Sequence, residues 1–336
     1  MSGRILITGG AGFIGANAVH WILKNENFEK VIVLDCFTYA GNMQNLGPVL
    51  KDKRLVIEHV DIRDLDEVSR VVDERRIGGV LHLAAESHVD RSISNPATFI
   101  ETNVLGTFNL LEACRKIWAG NWAGKRFVHV STDEVFGSLG EEGKFSEHSN
   151  YSPNSPYSAS KAGADHIVRA YHKTYGFPAV ITNCSNNFGP YQHPEKLIPL
   201  TINRAVSLGE IPIYGNGKNV RDWLYVEDHV RAMILAYKNG ELGESYNIGG
   251  ENEWSNIAIV KTICDMVDKK MGRQLGSARK LITFVADRAG HDFRYAIDSN
   301  KARQKLGWAS CNGFEVDLGR TIDWYLSNKE WIKTAE

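Results

Sequence analysis

Asp133 and Glu134 stand side by side after a short β-branched run, FVHV at 127–130, and Tyr157 and Lys161 follow four residues apart. Two adjacent carboxylates can divide acid and base work when their surroundings separate their pKa values. Tyr157 and Lys161 fall in a helical pattern, where residues i and i+4 share one face. A phenol with a pKa near 10 is a poor base at neutral pH, and an ammonium beside it would favour the phenolate. Bringing it to neutrality takes roughly 4 kcal/mol of differential stabilisation, part of which a cationic ring bound nearby could supply. Each motif also has a plain reading. Tyr–Lys pairs at this spacing are common on helix surfaces, and an Asp-Glu pair is common in a solvated turn or helix cap.

A second constellation lies at the start of the chain. Gly9-Gly10-Ala11-Gly12-Phe13-Ile14-Gly15 follows the run RILIT at 4–8 and opens a helical pattern. Glycines there let the turn tighten, a pyrophosphate approach the backbone and the helix pack on the strand. The helix amino terminus then offers unpaired N–H groups to the anion. An ordinary tight turn uses glycines as well, so context matters. Asp35 closes the second strand twenty residues beyond Gly15. A carboxylate there accepts from both ribose hydroxyls and repels an extra phosphate, which favours NAD over NADP. Asp61-Ile62 closes the third strand, where the pair could hold an adenine edge or Asp61 could simply cap a helix.

The elements that must position these residues alternate. Strands are expected at 4–8, 31–34, 55–59, 80–83, 127–130 and 179–182, and helices at 11–25, 64–76, 98–118 and 156–175. Such alternation implies right-handed βαβ crossovers and a parallel sheet covered on both faces. After residue 183 the texture changes to Asn and Pro-Gly punctuation, with helices at 197–209, 227–239, 255–271, 299–306 and 315–328. The expected fold class is α/β: a Rossmann-like doubly wound parallel sheet with a smaller, mostly helical substrate-binding lobe. Residues 1–182 would form the dinucleotide-binding domain that carries the catalytic residues, and 183–336 the lobe, with some interleaving allowed. Ligands would meet at the sheet's carboxyl edge.

Composition narrows the class. The 336 residues are 43% hydrophobic and 24% charged, a soluble globular balance, with a net charge of −1 that calls for neither nucleic acid nor anionic lipid. Apolar runs are too short to span a bilayer, and the start does not read as a signal peptide. The five cysteines, Cys36, Cys114, Cys184, Cys264 and Cys311, are odd in number and contain no Cys-x-x-Cys. No metal site or disulfide scaffold is expected, and a reducing cytoplasm is the simplest setting.

Taken together, the Gly9/Gly12/Gly15 loop, the Tyr157/Lys161 pair and Thr132 upstream of it resemble the extended short-chain dehydrogenase/reductase family. Within it the chain looks like a nucleotide-sugar 4,6-dehydratase, most like those acting on dTDP-glucose. The segments that carry the likeness are DCFTYAGN at 35–42, LAAESHVDRS at 83–92, STDEVFG at 131–137, NNFGPYQHPEKLIP at 186–199, RDWLYVED at 221–228 and GHD at 290–292.

The resemblance implies a lyase (a hydro-lyase) of deoxysugar biosynthesis that holds NAD tightly and regenerates it each turnover. Tyr157 would take the proton of the sugar's 4-hydroxyl, with Lys161 supporting it and Thr132 bonded to the 4-oxygen. Glu134 would remove the proton at carbon 5 while Asp133 protonates the departing 6-hydroxyl. The cofactor contacts it implies are Gly9, Gly12, Phe13, Ile14, Gly15, Asp35, Thr38, Asp61, Ile62, Leu83, Ala84, Ala85, Ser87, Thr102, Tyr157, Lys161 and Asn187. The nucleotide sugar would meet Ser87, Thr132, Asn186, Lys196, Leu197, Pro212, Tyr214, Arg221, Asn256, Arg288 and His291, with Arg221 suited to a diphosphate by bidentate, charge-assisted bonding. A homodimer through a four-helix bundle built on the helices 98–118 and 156–175 is implied as well. Cys36, Phe136 and Ala289 depart from residues frequent in the family. The competing readings are a dehydratase of UDP- or CDP-hexoses, a nucleotide-sugar 4-epimerase, which needs no acid/base pair at 133–134, and an NAD-sensing protein without chemistry, which would be free to lose Tyr157 or Lys161.

Overall fold

Strands form where β-branched runs alternate in facing. In the computed structural model, which describes residues 3–287 and 290–335, the first half supplies β1 (Arg4–Thr8), β2 (Lys30–Asp35), β3 (Leu55–His59), β4 (Gly79–His82), β5 (Arg126–Thr132) and β6 (Ala179–Cys184). The second half adds β7 (Asn186–Phe188), β8 (Ile211–Tyr214), β9 (Val220–Tyr225), β10 (Ser245–Ile248), β11 (Glu253–Ser255) and β12 (Ile282–Val285). Arg288 and Ala289 lie outside the described residues.

Seven of these strands make one sheet in the order β10-β6-β5-β4-β1-β2-β3, and every pairing in it is parallel. The order reverses between β1 and β4, which opens a crevice at the carboxyl edge. The expected doubly wound sheet is therefore present. Its edge strand β10, only four residues long and too short to show alternation, was not among the expected elements; it comes from the second half and pairs with β6.

Helices cover both faces: α1 (Phe13–Asn25), α2 (Leu65–Glu74), α3 (Val89–Ser94), α4 (Pro96–Phe99), α5 (Gly106–Trp118) and α6 (Pro156–Tyr175), then α7 (Leu197–Ser207), α8 (Val226–Asn239), α9 (Asn256–Lys270), α10 (Phe314–Ser327) and α11 (Lys329–Ala335). Leu6, Ile32, Val80 and Phe127 pack with α2, α5 and α6, whereas Ile5, Val31, Leu81 and Val128 pack with α1 and α8. Each such fully buried side chain contributes about 1.5–3 kcal/mol. The boundaries of α6 follow from chemistry at its ends. Ser155 and Ser158 form a reciprocal capping box, Pro156 opens the first turn, and Gly176 ends the helix at φ 66°.

The helix expected over 98–118 runs as α4, a wider turn over Ile100–Leu105, and α5. In that turn Asn103 clamps the segment after β4: its Oδ1 accepts from Glu86 N at 2.8 Å and its Nδ2 donates to Glu86 O at 2.9 Å. Beyond the sheet, β7, β9 and β11 form a small sheet and β8 pairs with β12. With α7, α9, α10 and α11 they enclose a separate core that includes Ile198, Ile202, Ile259, Ile263, Leu318 and Ile322. The expected helix at 299–306 is reduced to a short wide turn at Ala302–Leu306. Among the described residues no helix is long and apolar enough to cross a membrane.

Candidate active site

A cleft of about 800 Å³ opens where the strand order reverses and continues between the sheet and the second core. The glycine loop forms one wall. Gly9 sits at φ +66°, and a Cβ there would stand 2.8 Å from the Ala84 backbone. At Gly15 a Cβ would lie 2.0 Å from Gly9 O, so only glycine lets α1 pack this close to the loop. Gly12 precedes α1 without a side-chain cap, leaving the first-turn N–H groups to an anion.

Asp35 Oδ2 accepts from Ala11 N and its Oδ1 from Phe37 N, both at 2.9 Å. The carboxylate that would face a ribose thus also pins the glycine loop, and its burial pushes its carboxyl above the usual range. Asp61 is held by Arg63, whose Nη2 lies 2.6 Å from Oδ2. The cap of α2 is Asp64, which accepts from Asp66 N and Glu67 N, so the capping role weighed for Asp61 falls to its neighbour. Phe13, Ile14, Thr38, Ile62, Leu83, Ala84, Ala85, Ser87 and Thr102 line the same wall. An uncapped helix end beside Cβ-free backbone, with a carboxylate closing β2, fits a dinucleotide.

The reacting groups converge on the carboxyl end of β5. Thr132, paired opposite Cys184 on β6, caps a single helical turn over Asp133–Phe136, its Oγ1 accepting from Glu134 N at 3.3 Å. The same hydroxyl donates to Asp133 Oδ1 at 3.3 Å. Asp133 is 1% exposed and its Oδ2 has no hydrogen-bond partner among the described residues. Tyr157 and Lys161, on the first turns of α6, line the cleft opposite, and Lys161 Nζ donates to Val130 O at 2.8 Å.

The far side comes from the second half. Asn186, Asn187, Lys196, Leu197, Pro212, Tyr214, Arg221, Asn256 and His291 all line the cleft; Arg288 lies outside the described residues. Asn186 Oδ1 is buried without a hydrogen-bond partner among the described residues, whereas Asn187 is engaged, its Nδ2 donating to Ser185 O at 2.9 Å and its Oδ1 2.9 Å from His229 Nδ1. Arg221 lies 4.3 Å over the Tyr295 ring, and its Nη1 and Nη2 donate to Val220 O at 2.8 Å and Asp292 O at 3.0 Å. Backbone carbonyls therefore take up part of the fork expected to face a diphosphate. His291 Nδ1 is 2.6 Å from Asp287 Oδ1.

The profile of the GDP-mannose 4,6 dehydratase family matches residues 6–318. The chain belongs to that family. Its relatives in the GDP-mannose 4,6 dehydratase family include the dTDP-glucose 4,6-dehydratase of Salmonella typhimurium, 49% identical over 99% of this chain and 95% of that protein. The dTDP-glucose 4,6-dehydratase of Neisseria meningitidis is 51% identical over 98% of this chain and 94% of that protein. The crystal structure of dTDP-glucose 4,6-dehydratase from Streptomyces venezuelae, solved with NAD bound, superposes with a TM-score of 0.91 at 44% identity, covering 99% of this chain and all of the other. The kinship with nucleotide-sugar 4,6-dehydratases read from the motifs is thereby established.

In this member of the GDP-mannose 4,6 dehydratase family, electrostatics separate the site's groups. Burial, then the neighbouring Glu134 and Asp222 carboxylates, push the Asp133 carboxyl well above its ordinary value. Burial, with Glu134 and Cys184 adding to it, likewise raises the Tyr157 phenol, while its hydrogen bond with Thr132 acts the other way. The ammonium expected to favour the phenolate does not offset this burial, and its Nζ donates to Val130 O. Burial pulls Lys161 itself down, opposed by Asp165 and Cys184.

Several cleft residues were missed from sequence. Arg91 lies 3.5 Å over the Tyr39 ring, and Glu195 reaches across to His88 at 3.4 Å and Arg91 at 3.7 Å. The Glu195 contacts join segments more than a hundred residues apart in the chain, and no local pattern signals them. Trp331 on α11 also lines the cleft and donates through Nε1 to Asn45 Oδ1 at 2.7 Å.

Proposed function

We propose that this protein catalyses the NAD-dependent dehydration of dTDP-glucose to its 4-keto-6-deoxy sugar. The observation that carries the reading is the buried Asp133 beside the half-buried Glu134 in the cleft that also holds Tyr157. A 4-epimerase has no use for such a pair, and the curated relatives that are half identical to this chain are named as dTDP-glucose 4,6-dehydratases.

Bound NAD would be held by the glycine loop and Asp35, and would supply the acceptor and later the donor of one hydride. The chain supplies everything that handles protons. Tyr157, once ionised, takes the proton of the 4-hydroxyl, and the Thr132 hydroxyl orients the 4-oxygen. The resulting 4-ketone acidifies carbon 5, so Glu134 removes that proton as a carboxylate. Asp133 delivers its own proton to the 6-hydroxyl, which leaves as water. Glu134 then returns its proton to carbon 5, and the proton held by Tyr157 passes through solvent to Asp133, which restores the site. Burial holds the Tyr157 phenol up in the bare site, so the Lys161 ammonium and the positive charge of an oxidised cofactor would together favour its ionisation.

Residues 1–182, with α8 and β10 interleaved from the second half, serve as the cofactor-binding domain and the rest of 183–336 as the nucleotide-sugar lobe, with Asn186, Lys196, Arg221, Asn256, Arg288 and His291 receiving the substrate. The helical stretch 89–118 leaves Ile93, Ile100, Leu105 and Phe108 exposed, which supports a homodimer through that stretch and α6. Five free cysteines fit a reducing cytoplasm. The test is to offer the pure protein dTDP-, UDP-, CDP- and GDP-hexoses and assay for a 4-keto-6-deoxy product. Turnover of dTDP-glucose is expected; a 4-epimer, or a preference for another base, overturns the reading.

A further inference from the structure

Behind the reacting groups lies a buried carboxylate that the proposed chemistry does not use. Asp165 sits one turn beyond Lys161 on α6 and is fully buried. Its Oδ2 accepts from Ser131 Oγ at 2.9 Å, from Tyr151 Oη at 2.7 Å and from Asn183 Nδ2 at 3.4 Å. Its Oδ1 is 3.1 Å from His129 Nε2, within charge contact but off the line of a hydrogen bond. His129 and Ser131 are alternate residues of β5, the strand that ends in Thr132. Asn183 extends the link by donating to Thr132 O at 3.2 Å. One carboxylate therefore fastens the end of β5 to the helix carrying Tyr157 and Lys161.

The same carboxylate meets a charge that needs a counter-ion. Lys161 is 4% exposed, and among the described residues it donates only to a neutral carbonyl, Val130 O. The titratable groups around it are His82 on β4, His129 on β5, Cys184 on β6, and Tyr157 and Asp165 on its own helix. Burial, and then Lys161 itself, hold His129 below its ordinary value and so neutral at pH 7, while burial lifts the Cys184 thiol to about 12. Burial alone would raise Asp165, yet its contacts with His129, Lys161 and Tyr151 outweigh it and hold the carboxyl below the usual range. Among these groups Asp165 is the one that carries a negative charge at neutral pH.

We propose that Asp165 is a positioning residue of this site, the buried counter-ion that keeps Lys161 an ammonium and locks the Thr132–Glu134 turn to the Tyr157–Lys161 face of α6. This deepens the proposed function, since the ammonium matters only if Tyr157 must ionise. Removing an opposite charge one helical turn away, in a buried site, moves a neighbour's titration by about one pH unit or more.

The test uses the NAD-loaded protein with carbon-13 at the lysine Cε. The Lys161 resonance, assigned by its loss in Lys161→Met, should titrate at least about one pH unit lower in Asp165→Asn than in the parent protein, and return towards the parent value in Asp165→Glu. The alkaline limb of the single-turnover oxidation of dTDP-glucose should move down with it. A packing role alone would lower the rate and leave both midpoints in place, and that result overturns the proposal. Should Asp165→Asn fold poorly, the double variant Asp165→Asn/Lys161→Met should melt at a higher temperature than Asp165→Asn, because it leaves no unpaired buried charge. A double variant that melts no higher also overturns it. Failure of the parent protein to dehydrate dTDP-glucose would sink the proposed function instead, while the resonance still decides the role of Asp165.

Discussion

Asp133 and Glu134 are adjacent in sequence yet live in different media: Asp133 is 1% exposed under the Thr132 hydroxyl, while Glu134 lies half-buried on the wall of the cleft. The separation follows from the single turn that Thr132 caps, which points consecutive residues about 100° apart or more. One carboxyl is thereby kept as an acid, and the other is left beside the substrate space.

Glu134→Gln is expected to spare oxidation at carbon 4 and to stop the loss of water. In a single turnover with dTDP-glucose, the absorbance of reduced nicotinamide should rise and persist. Tyr157→Phe should instead show no such rise, because the first proton has nowhere to go. Continued overall turnover by Glu134→Gln without any build-up would remove Glu134 from the role of base.

Asp133→Asn is expected to stabilise the fold at neutral pH while abolishing elimination. Burial raises the folded-state pKa of Asp133 above its ordinary 3.8, so between those two values the folded protein binds more protons than the unfolded one. Its contribution is therefore fully present below the ordinary value and is lost as pH rises towards the folded one. The gain in melting temperature from Asp133→Asn should be largest at neutral pH and shrink as pH falls towards 4. A gain independent of pH would contradict the upward shift of the Asp133 carboxyl.

Asp35→Ala is expected to weaken NAD binding by roughly 1–3 kcal/mol, the scale of lost charged hydrogen bonds. Because Asp35 also holds Ala11 N and Phe37 N, the cofactor-free protein should lose melting temperature too. Gly15→Ala should cost about 1–3 kcal/mol of stability, since its Cβ would press on Gly9 O at 2.0 Å. Calorimetric titration with NAD and chemical denaturation measure the two effects. Unchanged NAD affinity in Asp35→Ala, or a native preference for NADP, would refute the selectivity argument.

The parts legible in the sequence are those whose information is local. The turn from β1 to α1 needs Gly9 and Gly15 within seven residues, and α6 carries both its capping box and its terminal Gly176, so its bounds match the expected 156–175. The Asp-Glu turn and the Tyr157–Lys161 face were readable for the same reason. What escaped depends on distant partners. β10 is a strand because β6 offers it an edge, not because SYNI alternates. Asp165 reads as an ordinary polar position in a helix until His129, Ser131, Tyr151 and Asn183 close around it. Asp61 and Asp64 could exchange roles on paper, and only the backbone path decided that Asp64 caps α2.

The fate of the substrate's own hydrogen separates dehydration from its rivals. Among the described residues the cleft offers one candidate dinucleotide cradle and one candidate acid/base pair, so under the proposed function a single cofactor would both accept and return the hydride. Once Glu134 and Asp133 have removed water across carbons 5 and 6, carbon 6 of the enone is the electrophilic centre, and the return is directed there. Deuterium placed at carbon 4 of dTDP-glucose should therefore appear on the methyl carbon of the same molecule. No added NAD should be consumed, and in deuterated solvent one deuteron should enter at carbon 5, delivered by Glu134. A 4-epimerase would return the label to carbon 4, and a simple dehydrogenase would release it to solution on reduced cofactor. Mass and NMR analysis of the product locates the label, and its recovery in either of those places would overturn the assignment.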